Sequence, residues 1–79
     1  MKIKYADVIA KQLIENWADE FGFCAESQIA MHLEELFDVT CASIVSATES
    51  EECLLLQITT DRWEGAKEFA LLPSGSLAW

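Results

Sequence analysis

Few side chains in this sequence are of types that could do chemistry, and their spacing does not gather them. His32 is the single histidine, and the one group expected to exchange a proton near neutral pH without a perturbed pKa. It has no partner at a spacing that would build a triad or a metal site, so a helix-surface histidine is the default. The adjacent carboxylates Glu34-Glu35 and Glu51-Glu52 could be taken as acid–base pairs. Neighbours on a helix or strand diverge, however, which makes solvated charge the simpler reading. The segment Glu49 to Glu52 lacks the spaced oxygen ligands and central glycine of a calcium loop. No glycine-rich loop is present to cradle a phosphate. Cys24, Cys41 and Cys53 form neither a CxxC pair nor an even framework, and read as buried free thiols in a reducing cytoplasm. No catalytic residue, metal or cofactor is expected, and the chain does not read as an enzyme.

What the chain has in place of a catalytic constellation is a one-sided field. Between Lys11 and Arg62 there is no Lys or Arg, while the same stretch carries Glu15, Asp19, Glu20, Glu26, Glu34, Glu35, Asp38, Glu49, Glu51, Glu52 and Asp61. The net charge is -9. Like charges on one small body repel and cost stability, so most soluble domains mix the two signs. The field argues against direct binding to nucleic acid or an anionic membrane and points to a protein partner with a basic surface. Basic surfaces most commonly bind nucleic acid. With 52% hydrophobic residues the chain is no disordered acidic tail. Its 79 residues make room for one domain, residues 1–79, burying about two-thirds of its unfolded surface. Asp7 interrupts the N-terminal segment before any apolar run, so no signal peptide is expected. No run approaches membrane-span length, and the expected location is the cytoplasm.

The elements that would position these charges form an α+β pattern. Residues 4–19 read as a helix, with Tyr5, Val8, Ile9, Leu13 and Trp17 near helical spacing and Asp7 in the first turn. Gly22 breaks it, and Phe21 to Cys24 reads as a short extended segment. Ser27 suits the N-cap of a second helix over 28–38, with Ile29, Leu33, Leu36 and Phe37 on one face. Residues 40–48, 53–60, 66–72 and 76–79 read as strands, separated by the charged turn 49–52, the turn 61–65 and the tight turn Pro73-Ser74-Gly75. The expected order is helix, short strand, helix, then an antiparallel meander: a five-stranded sheet with two helices.

This layout resembles the phage-type uracil-DNA glycosylase inhibitors, small acidic proteins that mimic DNA. Local matches carry the resemblance, and it covers nearly the whole chain. Glu26-Ser27 opens the second helix, as a Glu-Ser pair does in that family, and Glu34-Glu35 follow beside an apolar face. Ile44 to Ser50, Leu56 to Asp61 and Phe69 to Leu72 are similar to the family's acidic-turn hairpin and its next strand. The chain departs in having Gln28 where the family usually has an apolar residue, a shorter acidic turn, and Arg62-Trp63 after Asp61. The resemblance implies a monomer that forms a 1:1 complex with uracil-DNA glycosylase in a phage host's cytoplasm. A carboxylate edge of Glu26, Ser27, Glu34, Glu35 and Asp61 would replace phosphates in the enzyme's groove. An apolar pocket lined by Ile29, Leu33, Leu36, Phe37, Val45, Leu56, Ile58 and Leu72 would hold the hydrophobic side chain that the enzyme pushes into the base stack.

Three other readings compete. A degenerate winged helix would need a third helix at Cys41 to Glu49, yet that segment has no Lys, Arg, Asn or Gln to read bases. A DNA mimic aimed at another host enzyme, such as a nuclease or a CRISPR complex, shares the charge argument entirely. An acidic interaction module without mimicry is the third.

Overall fold

Lys2-Ile3-Lys4-Tyr5 alternates polar and apolar residues with the period of a strand, and a strand is what it forms. A computed structural model describes residues 2–79. The elements run β1 (Lys2–Tyr5), α1 (Val8–Phe21), α2 (Ala25–Phe37), β2 (Cys41–Glu49), β3 (Leu54–Thr59), β4 (Ala66–Leu71) and β5 (Leu77–Ala78). The α+β class, two helices and five-stranded sheet match the expectation. The first strand lies elsewhere: it precedes α1, and Phe21 to Cys24 is not extended between the helices. Phe21 instead closes α1. Gly22 follows in the left-handed region at φ 74°, where a glycine meets no Cβ penalty, and Phe23 N–H donates to Ala18 O at 3.0 Å.

Asp7 starts α1 from outside it, its carboxylate accepting the Ile9 N–H at 2.8 Å. The buried stripe of α1 is Ala10, Ile14 and Ala18, one step round from the expected face. Leu13 and Trp17 flank it half-buried, whereas Val8 and Ile9 are 83% and 68% exposed. Small residues at positions 10 and 18 let the helix sit close to the sheet, which an Ile–Leu–Trp spacing rule does not register. For α2 the cap is Cys24 and not Ser27, so the helix begins three residues earlier than expected. It ends at Asp38, which adopts φ 54° as its N–H donates to Glu34 O.

The sheet order is β1-β2-β3-β4-β5. β1 runs parallel to β2, with Ile3 opposite Ala42 and Tyr5 opposite Ile44. The remaining pairs are the expected antiparallel meander. Residues 41–49 are strand, so the third helix of a winged helix is absent. Val45 is the extra residue of a bulge between Ile44 and Ser46. Beyond it the side-chain parity switches, placing Ala47 opposite Leu56 on the inner face. Ile3, Ile44, Leu54, Leu56, Ile58, Phe69 and Leu71 build that face, and the helices cover it with Ile14, Ile29 and Leu33. Among the described residues no polar or charged side chain is buried.

Two contacts tie α2 to the far end of the sheet. At the C-terminal end of α2, Phe37 meets Trp63, Phe69 and Trp79 at ring-centroid distances of 5.6, 5.5 and 5.1 Å. Lys67 places its ammonium 4.8 Å from the Phe37 ring and 5.5 Å from that of Trp63. At the other end, Gly75 in the β4–β5 turn has φ 88°, and a Cβ there would come within 2.9 Å of Gln28 Cγ.

Candidate partner-binding surface

The short link between the helices fixes the site. Only Gly22, Phe23 and Cys24 separate α1 from α2, so the end of one helix and the start of the next share a surface. Glu26, in the first turn of α2, has its charge favoured by the helix dipole. Ser27, Met31, Glu34 and Glu35 follow along one exposed side, at the spacing of successive helical turns. With Cys24 and Glu26 they line a cleft of about 580 Å³. Thus Glu26, Ser27, Glu34 and Glu35, four of the five residues expected at the acidic edge, come together. Asp61 does not join them. It sits in the β3–β4 loop and lines a different cleft with Lys4, Ser43 and Thr59.

A second cleft of about 350 Å³ adjoins the first through Cys24 and Glu26, and adds Tyr5, Glu15 and Asp19. Glu26 therefore stands where the two meet. Sequence reasoning missed Glu15 and Asp19 as site members. Their i, i+4 spacing does put both on one side of α1, but only the helix packing shows that this side continues into α2. The crowding registers on Tyr5. Burial, then the nearby Glu26 and Glu15 carboxylates, push its phenol up to about 12, because each disfavours a phenolate. Cys24, fully exposed at the helix start, is affected in the opposite sense. Its thiol donates to Ser27 Oγ at 3.5 Å, and hydrogen bonds from Ser27 to the thiolate form lower its pKa.

The eight residues expected to line an apolar pocket divide. Ile29, Leu33, Leu56 and Ile58 have no exposed surface, so they are closed core between helix and sheet and not the walls of an open hole. Phe37 belongs to the aromatic cluster, and Val45 is the half-buried residue of the bulge. Leu36 is 49% exposed. Leu72 lines a separate cleft beside Trp17 and Phe21. His32 lies on α2, as expected, but is half-buried there and not fully on the surface, and its Nε2 has no hydrogen-bond partner. Cys24 and Cys41 are exposed and not buried, with Cys53 intermediate. Among the described residues no three His, Cys, Asp or Glu side chains converge as a metal would require, and no helix is long and apolar enough to cross a membrane.

The site can attract a cation or a basic surface. Glu15, Asp19, Glu26, Glu34 and Glu35 line the joined clefts, and no Lys, Arg or His does. Comparison with known families, curated proteins and solved structures returned no match.

Proposed function

We propose that this protein is a DNA mimic that occupies the basic nucleic-acid groove of an enzyme, with uracil-DNA glycosylase as the target the sequence resemblance names. The observation that carries the reading is the gathering of five carboxylates along the two joined clefts, which no Lys or Arg lines; Lys11 places its ammonium over the Tyr5 ring, 5.9 Å from the centroid. Its spacing suits the role. Glu15 and Asp19 are four residues apart on a helix, a rise of about 6 Å, and Glu26 and Glu34 are separated by about 12 Å. One DNA strand presents a phosphate about every 3.4 Å along its axis, so the carboxylates stand near every second to fourth phosphate. A groove shaped for phosphates meets comparable charge, held on a folded body from which no base can be flipped and no bond cleaved.

A wider reading, mimicry directed at another DNA-handling enzyme, has a specific observation in its favour. The first strand precedes α1, whereas the resemblance implies a strand between the helices. The closed core at Ile29, Leu33, Leu56 and Ile58 likewise leaves the expected apolar hole unformed in the free protein.

One panel tests both readings. Purified protein is added in excess to uracil-excision assays with several bacterial glycosylases, and to DNA-displacement assays with nucleases and CRISPR effectors. Blocked excision supports the glycosylase target. Undiminished excision together with displacement elsewhere transfers the mimicry to that enzyme. No displacement anywhere rejects it. In the complex that forms, Cys24 is expected to be protected from alkylation while Cys41, outside the joined clefts, stays reactive.

A further inference from the structure

At the opposite side of α1's last turn lies a cleft of about 910 Å³ that shares no residue with the clefts above. Half-buried Trp17 and Leu72 line it, together with Phe21, whose ring lies 4.8 Å from that of Trp17 at an interplanar angle of 59°. Three exposed carboxylates complete it: Glu20 from α1, and Glu51 and Glu52 from the β2–β3 turn. No basic side chain lines the cleft, and among the described residues none of the three carboxylates is in an ion pair. Covering the aromatic and aliphatic walls with a partner would desolvate the uncompensated carboxylates beside them unless that partner supplied a positive charge.

We propose that this cleft is a docking slot for an arginine side chain of a protein partner. Charge complementarity selects the occupant. A phosphate or carboxylate is repelled. A leucine would fill the apolar part and strip water from carboxylates left without a counter-charge. A lysine ammonium satisfies the charge but is strongly hydrated and has no flat face to lay on a ring. A guanidinium does both: its plane stacks on Trp17 or Phe21, and its five N–H donors reach carboxylates on two sides. The volume exceeds one side chain, leaving space for the flanking backbone of the partner. The slot is independent of the joined clefts, and the proposal stands or falls without reference to which enzyme, if any, those clefts engage.

The test uses the isotopically labelled full chain in a magnetic-resonance titration with the capped peptide Gly-Arg-Gly. Citrulline, lysine and leucine replace the arginine in parallel peptides. The expected result is saturable movement of the Trp17 indole N–H and of the Glu52, Cys53 and Ser74 amides with the arginine peptide. The citrulline peptide, which is neutral but of the same shape, should bind at least about tenfold more weakly. Glu52→Gln, on an exposed turn where folding is not at stake, should weaken the arginine peptide about fivefold, and Glu34→Gln should leave it unchanged. Equal binding of citrulline or leucine overturns the proposal in favour of a plain apolar cleft. Equal binding of lysine overturns the stacking geometry. Shifts spread evenly over Glu26 to Glu35 reduce it to diffuse charge attraction, and an absence of shifts removes the slot.

Discussion

Glu26→Gln removes one charge at the meeting point of the two acidic clefts while keeping the side chain's size. Its effect on folding should be small, because two contributions oppose. The first turn of α2 loses a favourable dipole interaction worth about 0.3–1 kcal/mol, and the neighbouring Glu15 and Asp19 lose a source of repulsion. The local effect is readable on Tyr5, which is the chain's single tyrosine, so phenolate absorbance reports it without ambiguity. Burial is the leading cause of its elevation to about 12, with the Glu26 carboxylate next. The variant should therefore titrate below the parent but still above an ordinary tyrosine. Binding should change much more. If the clefts engage the proposed basic groove, the charge-assisted hydrogen bond lost there costs about 1.5–3 kcal/mol, or roughly ten- to 150-fold in affinity. Affinity measured by calorimetry beside the alkaline titration separates the two links. An unmoved Tyr5 would mean that Glu26 is not at this junction. A lowered Tyr5 pKa with intact affinity would mean that the partner docks somewhere else.

Three further outcomes follow from the packing. Leu33→Ala opens a cavity under a residue with no exposed surface and should cost about 2–5 kcal/mol in denaturant unfolding; a loss below about 1 kcal/mol would refute its core placement. Gly75→Ala asks a side chain to accept φ 88° against Gln28, and should cost about 1–3 kcal/mol while shifting the Gln28 side-chain amide resonances. With the Tyr5 pKa raised from 10.0 to about 12, the unfolded chain releases its proton first. Stability is thus complete below pH 10.0 and falls between pH 10.0 and about 12, by about 1 kcal/mol after allowance for solvent screening of a partly buried group. Tyr5→Phe should abolish that component of the alkaline melting curve.

Within the meander, β2 and β3 were legible because Ile, Val and Thr recur in them, whereas β4 and β5 hold no β-branched residue and were legible from the turns at 61–65 and 73–75 that bound them. The start of the chain was less so. Tyr5 satisfies a helical spacing with Val8 and Ile9 and also the two-residue period of Ile3 and Tyr5, and four residues are too few for periodicity to decide. Pairing with Ala42 and Ile44 decides it, which is a contact from far along the chain. Ser27 is a good cap by type, but α2 already begins at Ala25 with Cys24 as its cap, and Ser27 stands inside the first turn, where its hydroxyl meets the Cys24 thiol. In the site, Glu26, Ser27, Glu34 and Glu35 were recoverable because one helix carries them. Asp61 was misplaced and Glu15 and Asp19 were missed for the same reason: their grouping depends on how separate elements pack. Ile29, Leu33, Leu56 and Ile58 have the same pattern whether they line a hole or fill one.

The parallel strand β1 also bears on how the protein opens. Every pairing within the meander joins neighbours along the chain, whereas β1 reaches β2 only across both helices. Closing that long loop carries the larger entropic penalty, and the strand it secures is short and lies at the sheet's edge. Amide hydrogens of β1 should therefore exchange with solvent ahead of those in β3, which is paired on both sides. In refolding, β1 should be the last strand to dock. Since Tyr5 forms part of the acidic clefts, that final docking step would also complete them.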